Sequence, residues 1–337
     1  MCVGCSEYAL DCAGNGACVE PREDAETALP PAAASPRLIG QRYELGPVVG
    51  SGASADVFRG RDLRERVPVA IKLFRHTSGP AQARRHRTEI TVLARLQHSG
   101  LVRFRDAGTE QGRLFVVTDL VEGPSLAERI CRGPAMRPAA VRRLGRRLAI
   151  ALSYVHDRGV VHRDVKPANI LLERGLRPRL ADFGIARVLD RTATTANGAI
   201  VGTAAYLAPE QVRGQPVGPE ADVYALGLVL LEALTGRREY TGGQIETALV
   251  RLHRPPRVPE KLPSDLAELL PAMTLDDPRQ RPAAASVATA LTPWRVSLRG
   301  KRRRSERGRH RSTELRGHHR LHEQGPATPT VFPGAES

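Results

Sequence analysis

Hydrophobic and polar positions fall into three regimes along the chain. Up to about residue 40 large apolar residues are scarce, and "LPPAAASPR" (29–37) has the composition of a linker. From Tyr43 the pattern alternates. "YELGPVVGSG" and "DVFRGRD" predict two strands around a glycine turn, and "VPVAIKLF" (67–74) predicts a third. "AQARRHRTEITVLARL" (81–96) places Ile90, Leu93 and Leu96 on one helical stripe. "LVRFRDAG" and "RLFVVTDLV" complete a five-stranded sheet with one helix. After "EGPS" the period changes: "PAAVRRLGRRLAIALSYVHDRG" predicts a long helix, "VVHRDVKPANILLE" and "PRLADFG" predict short strands and turns, and helix follows helix from Pro209. The pattern gives an α+β chain with a small β-rich N-lobe and a larger, mainly helical C-lobe. The expected divisions are a leader at 1–40, a folded domain at 41–294 with its lobes meeting near 121–122, and a tail at 295–337.

The sequence has 337 residues, 41% of them hydrophobic, which suits one large or two modest domains with buried cores. Its formal net charge of +15 asks for an acidic partner or a basic appendage. Residues 295–323 hold eleven Arg/Lys against three Glu, so about half of the excess sits in that short tail. The remainder is only mildly basic, which speaks weakly for nucleic acid binding by the folded part. No apolar run approaches the ~18–20 residues of a membrane span. "VYALGLVLLEAL" (223–234) is too short and contains Glu232. With no basic and then apolar leader, the expected location is cytoplasmic, without a transmembrane segment. Four of the five cysteines, Cys2, Cys5, Cys12 and Cys18, crowd the N-terminus. They are read either as a zinc or redox site or as part of a plain leader, since their spacing fits no standard zinc module.

The stretch "VVGSGASADVFRG" (48–60) is close to a phosphate-cradling G-x-G-x-x-G loop, with Ala55 at the third glycine position. Alone it is a weak signal. It is followed by "VAIK" ending at Lys72, "HRDVKPANILL" (162–172), "ADFG" (181–184), "GTAAYLAPE" (202–210), "DVYALG" (222–227) and "DPRQRP" (277–282). In order and spacing these resemble the motif set of the eukaryotic-like protein kinases, and most of all the bacterial, Hanks-type serine/threonine protein kinases, over roughly Tyr43–Leu291.

The resemblance implies the two-lobed protein kinase fold, ATP and Mg2+ (or Mn2+), and transfer of the γ-phosphate to Ser/Thr hydroxyls of proteins. It carries roles to matched positions. Asp164 accepts or orients the proton of the attacking hydroxyl, and Lys166 reaches the transferring phosphate. Lys72 holds the α- and β-phosphates and is itself held by Glu89, the only acid between Pro80 and Gly100. Asn169 and Asp182 offer hard oxygen ligands suited to Mg2+. Val49, Gly50, Ser51 and Gly52 cover the phosphates. Val57, Ala70 and Leu171 enclose the adenine, Thr118 lines the back of its pocket, and the backbone from Asp119 to Val121 bonds to it. "KPAN" and Thr203 go with Ser/Thr specificity. Arg163 before Asp164 goes with activation by phosphate on Thr192, Thr194 or Thr195, and hence with a transient homodimer for trans-autophosphorylation. Glu210 and Arg281 are expected to pair in the large lobe, Asp222 to brace the catalytic loop, and Phe104, Leu93, His162 and Phe183 to stack between the lobes.

Composition adds an argument of its own. The chain has four lysines against 47 arginines, yet Lys72 and Lys166 stand at both positions that call for a compact ammonium. That bias argues for a live site. Two rivals stand beside this reading: a kinase-fold scaffold without activity, and an anionic-surface binder acting through the basic tail. A small-molecule phosphotransferase is disfavoured by Arg163, Lys166 and "APE" (208–210).

Overall fold

The structure is a computed structural model of the chain, and it describes residues 37–52, 55–77, 94–183 and 204–292. The first part is a six-stranded antiparallel sheet built from β1 (Leu38–Ile39), β2 (Tyr43–Ser51), β3 (Ala55–Asp62), β4 (Val67–Thr77), β5 (Phe104–Glu110) and β6 (Arg113–Asp119), in the order β1-β2-β3-β4-β6-β5. The five expected strands are present, and β1 adds a sixth ahead of Tyr43. Two residues were too few to register as a pattern, but Ile39 is buried beside Tyr43 and Phe115.

The period of two assigns the faces. In β4, Val69, Ile71 and Leu73 are buried with Ile39, Tyr43, Phe115 and Val117. The intervening residues point the other way, where Phe74 packs with Ala55, Leu114 and Val116. Residues directly opposite in an antiparallel pair share a face. Lys72 lies opposite Val57 on one side and Val116 on the other, and Ala70 lies opposite Thr118, so these five share the face of Phe74. The β5–β6 turn has positive φ at both Gln111 (50°) and Gly112 (77°), as a tight type I′ hairpin requires.

The second part is helical: α1 (Leu126–Arg132), α2 (Pro138–His156), α3 (Pro209–Val212), α4 (Glu220–Thr235), α5 (Gln244–His253), α6 (Ser264–Met273) and α7 (Ala284–Ala290), with a small hairpin of β7 (Ile170–Glu173) and β8 (Arg177–Leu180). Ser125 and Glu128 form a reciprocal capping box that starts α1. Along α2, Val141, Leu144, Leu148, Leu152 and Val155 recur at helical spacing and are buried against α4 and α7. Gly145 permits the approach, since a Cβ there would lie 2.8 Å from methyls of both Leu230 and Leu291. α4 is predominantly apolar and buried along nearly its whole length, Asp222 and Glu232 included; it ends at Gly236 with φ 75°. The expected Glu210–Arg281 pair is present and bidentate at 2.7 and 2.8 Å, with both side chains out of solvent. It ties α3 to the turn before α7. The helix expected over 81–96 lies almost wholly outside the described residues. The leader cysteines and the basic tail lie there too.

Candidate active site

The catalytic-loop sequence occupies the coil between α2 and a short 3-10 turn at Pro167–Asn169. Its shape is imposed from α4. The buried Asp222 carboxylate accepts the backbone N–H of His162 at 2.8 Å and of Arg163 at 2.7 Å. His156, at the end of α2, meets the same carboxylate at 2.8 Å. Arg163 has φ 64°, a left-handed conformation that costs a non-glycine residue about 1–3 kcal/mol and persists only where its surroundings enforce it.

His162 is fully buried and packs against Phe183, the ring centroids 4.7 Å apart and the planes tilted by 42°. Its Nδ1 accepts the Asp164 N–H, so Nε2 carries the proton donated to the Ala181 carbonyl at 3.0 Å. Burial pushes its pKa below the usual histidine value, keeping the ring neutral. It is a packed core histidine and not a base. Of the stack expected with it, Phe183 is in place. Phe104 packs in the sheet cluster of Ala55 and Phe74, and Leu93 lies outside the described residues.

Asp164 is held from two sides. Asn169 Nδ2 donates to its Oδ2 and to its carbonyl, both at 2.8 Å, and Lys166 Nζ stands 2.9 Å from Oδ2. Because Asn169 spends its NH2 on Asp164, its Oδ1 faces the other way, free to meet a cation. Ala181 N–H donates to the Asn169 carbonyl at 2.8 Å, which brings the chain carrying Asp182 alongside. Asp182 also has left-handed φ, 54°. Partial desolvation opposes ionisation of its carboxyl, but the Lys72 ammonium 2.9 Å away and the charge of Lys166 together outweigh that, and the group lies below the usual carboxylate range. The donor set of one ionised carboxylate and one amide oxygen fits a hard divalent cation. Lys72 thus has Asp182 as its described partner; Glu89 lies outside the described residues.

At the glycine loop, Gly52 N–H closes the turn on the Ala55 carbonyl at 3.0 Å. A Cβ at Gly50 would come no nearer than 3.7 Å to Val57, and one at Gly52 no nearer than 3.7 Å to that carbonyl; neither glycine has a left-handed φ. The fold would tolerate side chains at both positions. The space they leave suits a close-approaching phosphate. Gly60 is different: a Cβ there would fall 2.7 Å from the Glu44 backbone carbonyl oxygen as well as 2.4 Å from Ile71 Cδ1, so packing alone demands it. Val49 is largely exposed at the rim. Ala55 stands at the far end of the loop. It opens β3 opposite Phe74, with its methyl buried under the sheet. Ser51 is tied down, its hydroxyl donating to Asp56 at 2.7 Å and accepting from Arg75 at 2.8 Å.

Val57, Ala70 and Thr118 share the sheet face that carries Lys72, while Leu171 is half-buried in β7. The Asp119 N–H is taken by the Arg103 carbonyl at 2.9 Å, and its carbonyl accepts the Thr118 hydroxyl at 3.4 Å, a long bond that leaves a lone pair for a further donor. Val121 follows in half-buried coil.

Sequence reasoning missed His156 on Asp222, Arg105 on Asp119 and Arg251. Arg251, buried on α5, donates to the carbonyls of Ala204 and Leu207. Between those two residues, the Tyr206 hydroxyl donates to the buried Glu232 on α4, whose carboxyl burial pushes up. Each joins residues too far apart in sequence for spacing to reveal them. Thr192, Thr194, Thr195 and Thr203 lie outside the described residues.

A family described as the protein kinase domain matches residues 43–292. The serine/threonine-protein kinase PknL of Mycobacterium tuberculosis is 37% identical over 255 residues, 74% of this chain and 64% of its own length. PkaA of Streptomyces coelicolor is 36% identical over 273 residues, 76% of this chain and 50% of its own. PknB of Mycolicibacterium smegmatis is 35% identical over 250 residues, 72% of this chain and 40% of its own. The chain thus matches less than two thirds of the length of each of these relatives.

Proposed function

The chain belongs to the protein kinase family, and on that premise we propose that it transfers the γ-phosphate of ATP to serine and threonine hydroxyls of proteins. The observation that carries the reading is the joint placement of Asp164, Lys166, Asn169, Asp182 and Lys72, linked by contacts of 2.8–2.9 Å. Phosphoryl transfer needs charge neutralisation and an aligned hydroxyl more than covalent help, and this constellation supplies both.

Asp164 Oδ2 is the candidate acceptor for the hydroxyl proton. Asn169 fixes its rotamer, and Lys166 beside it offers positive charge toward the transferring group. Lys72 is placed to hold the α- and β-phosphates, under the cradle of Val49 to Gly52. Asn169 Oδ1 and Asp182 would hold Mg2+ or Mn2+, which supplies charge neutralisation on the phosphates when bound. Val57, Ala70, Thr118 and Leu171 would enclose the adenine, with Asp119 and Val121 giving it backbone partners. Glu89 belongs to the proposal as partner of Lys72, and Thr203 as a specificity residue. The folded unit is taken as 41–294. Its setting is read as cytoplasmic, where ATP is plentiful; no helix among the described residues is long and apolar enough to cross a membrane. The basic tail at 295–337 is read as a contact for anionic surfaces.

The test is incubation of the full chain with ATP, Mg2+ and a generic basic protein, followed by phosphosite mapping. Phosphate should appear on serine and threonine. Asp164→Asn and Lys72→Met should each lower turnover by about 10²–10⁴-fold, with melting little changed. A purified Asp164→Asn protein with undiminished turnover would overturn the mechanism.

A further inference from the structure

Asp119 is the last residue of β6, and the chain runs on from it as coil into the large lobe. Its backbone is therefore the exit from the sheet. Arg105 grips its side chain, with Nε 2.5 Å from Asp119 Oδ1. The contact depends on a β-bulge. Phe104 lies opposite Thr118 and Asp106 opposite Val117, which leaves Arg105 as the extra residue of β5. A bulge re-aims the side chain that it displaces.

The grip continues outward. Arg105 Nη1 donates to Glu65 Oε2 at 2.7 Å, and Glu65 sits in the turn between β3 and β4. Its other oxygen accepts Arg42 Nη2 at 3.2 Å. Arg42 in turn forks onto the fully buried Asp62 at 2.9 and 2.7 Å. Arg105 is only 18% exposed and Asp119 28%, so solvent screens this pair less than an ordinary surface pair.

We propose that the chain of ion pairs Arg42–Glu65–Arg105–Asp119 fixes the backbone at the exit of the sheet, making Arg105 a positioning residue for the nucleotide. The inference rests on the reading of Asp119 to Val121 as the adenine contact. With Arg105 in place the carbonyl at 119 is preorganised; without it, bound nucleotide must reorder the segment, which costs affinity. No phosphate or hydroxyl chemistry passes through Arg105, so its loss should be felt in ATP binding and not in turnover.

ATP affinity is measured by calorimetry on the full chain and on its Arg105→Ala and Arg105→Lys variants, with steady-state kinetics on a peptide alongside. Arg105→Ala should weaken ATP binding, and raise the KM for ATP, by about five- to tenfold, with kcat and peptide KM within about twofold. Arg105→Lys should recover most of the loss, and in an Asp119→Asn background Arg105→Ala should add less than about twofold. Glu65→Gln, which leaves the exit residue untouched, should weaken ATP binding by about two- to threefold and stands in if Arg105→Ala fails to fold. Wild-type ATP affinity in folded Arg105→Ala, or in Glu65→Gln where it stands in, overturns the inference alone. A wild-type chain that binds no ATP overturns the kinase reading and this inference with it.

Discussion

The Asp222 carboxylate, sixty positions beyond His162 in the chain, accepts the His162 N–H at 2.8 Å and the Arg163 N–H at 2.7 Å. One buried side chain thereby holds the only non-glycine residue of the catalytic loop with left-handed backbone. Hydrogen bonds to a buried charged group are worth about 1.5–3 kcal/mol each. Asp222→Ala should therefore cost about 3–5 kcal/mol of stability and lower kcat far more than ATP affinity. Chemical denaturation and steady-state kinetics check both. A variant with wild-type stability and turnover would show that the loop holds its shape without this brace.

Ala55 fills a space under the sheet beside Phe74, Leu114 and Val116. Restoring the third loop glycine with Ala55→Gly should cost stability, about 0.5–1 kcal/mol from backbone entropy plus a little packing. Turnover and ATP affinity should stay within about tenfold, or ~1.4 kcal/mol. Thermal melting and kinetics measure the two separately. Activity that appears only after the substitution would mark the wild-type loop as defective.

Burial depresses the His162 pKa, so the unfolded chain takes up a proton that the folded chain refuses. This contribution to stability is fully present above the ordinary histidine pKa of 6.5. It is lost as pH falls from there toward the folded pKa, at up to about 1.4 kcal/mol per pH unit. His98, also depressed by burial, acts with the same sign. His162→Phe should therefore lessen the slope between about pH 5 and 6.5 without abolishing it. Denaturation midpoints across that range decide, and an unchanged slope would refute a neutral buried His162.

Autophosphorylation is expected on Thr194 or Thr195, with Thr192 in reserve. A phosphate there can form one to three charge-assisted hydrogen bonds with arginine, and Arg163 next to Asp164 is the candidate partner. Mass spectrometry after incubation with ATP should find at least one of the three modified, and phosphatase should lower activity. Full activity with this whole segment unmodified would reject the switch.

The sheet was legible because alternation is local: Val69, Ile71 and Leu73 against Ala70 and Lys72 declare both faces within five residues. The site was legible because its motifs are short and ordered. The Glu210–Arg281 pair and the Asp222 brace followed from the same motif set. What the sequence concealed was supplied by register and tertiary approach. The bulge that turns Arg105 toward Asp119 is visible only once β5 is paired with β6. His156 joins Asp222 only because α2 and α4 pack together. The burial of Ala55 was hidden for the same reason: its partner across the ladder, Phe74, shows only in the register.

α4 has a further consequence, which is metrical. Asp222 lies in its first turn and Glu232 in its last, ten residues on. At 1.5 Å per residue they stand about 15 Å apart along one rigid axis. Asp222 grips the loop that presents Asp164, and Glu232 grips Tyr206, in the segment that follows Thr203. The helix is thus a ruler between two working parts that have no covalent reason to keep their spacing. Its long apolar surface, interrupted by the two grips, clamps it in the core. One residue inserted between those positions would lengthen the ruler by only about 1.5 Å but rotate one end by about 100° relative to the other. One of the two grips would then point away from its partner, so substitutions along this helix should be tolerated far better than any change in its length.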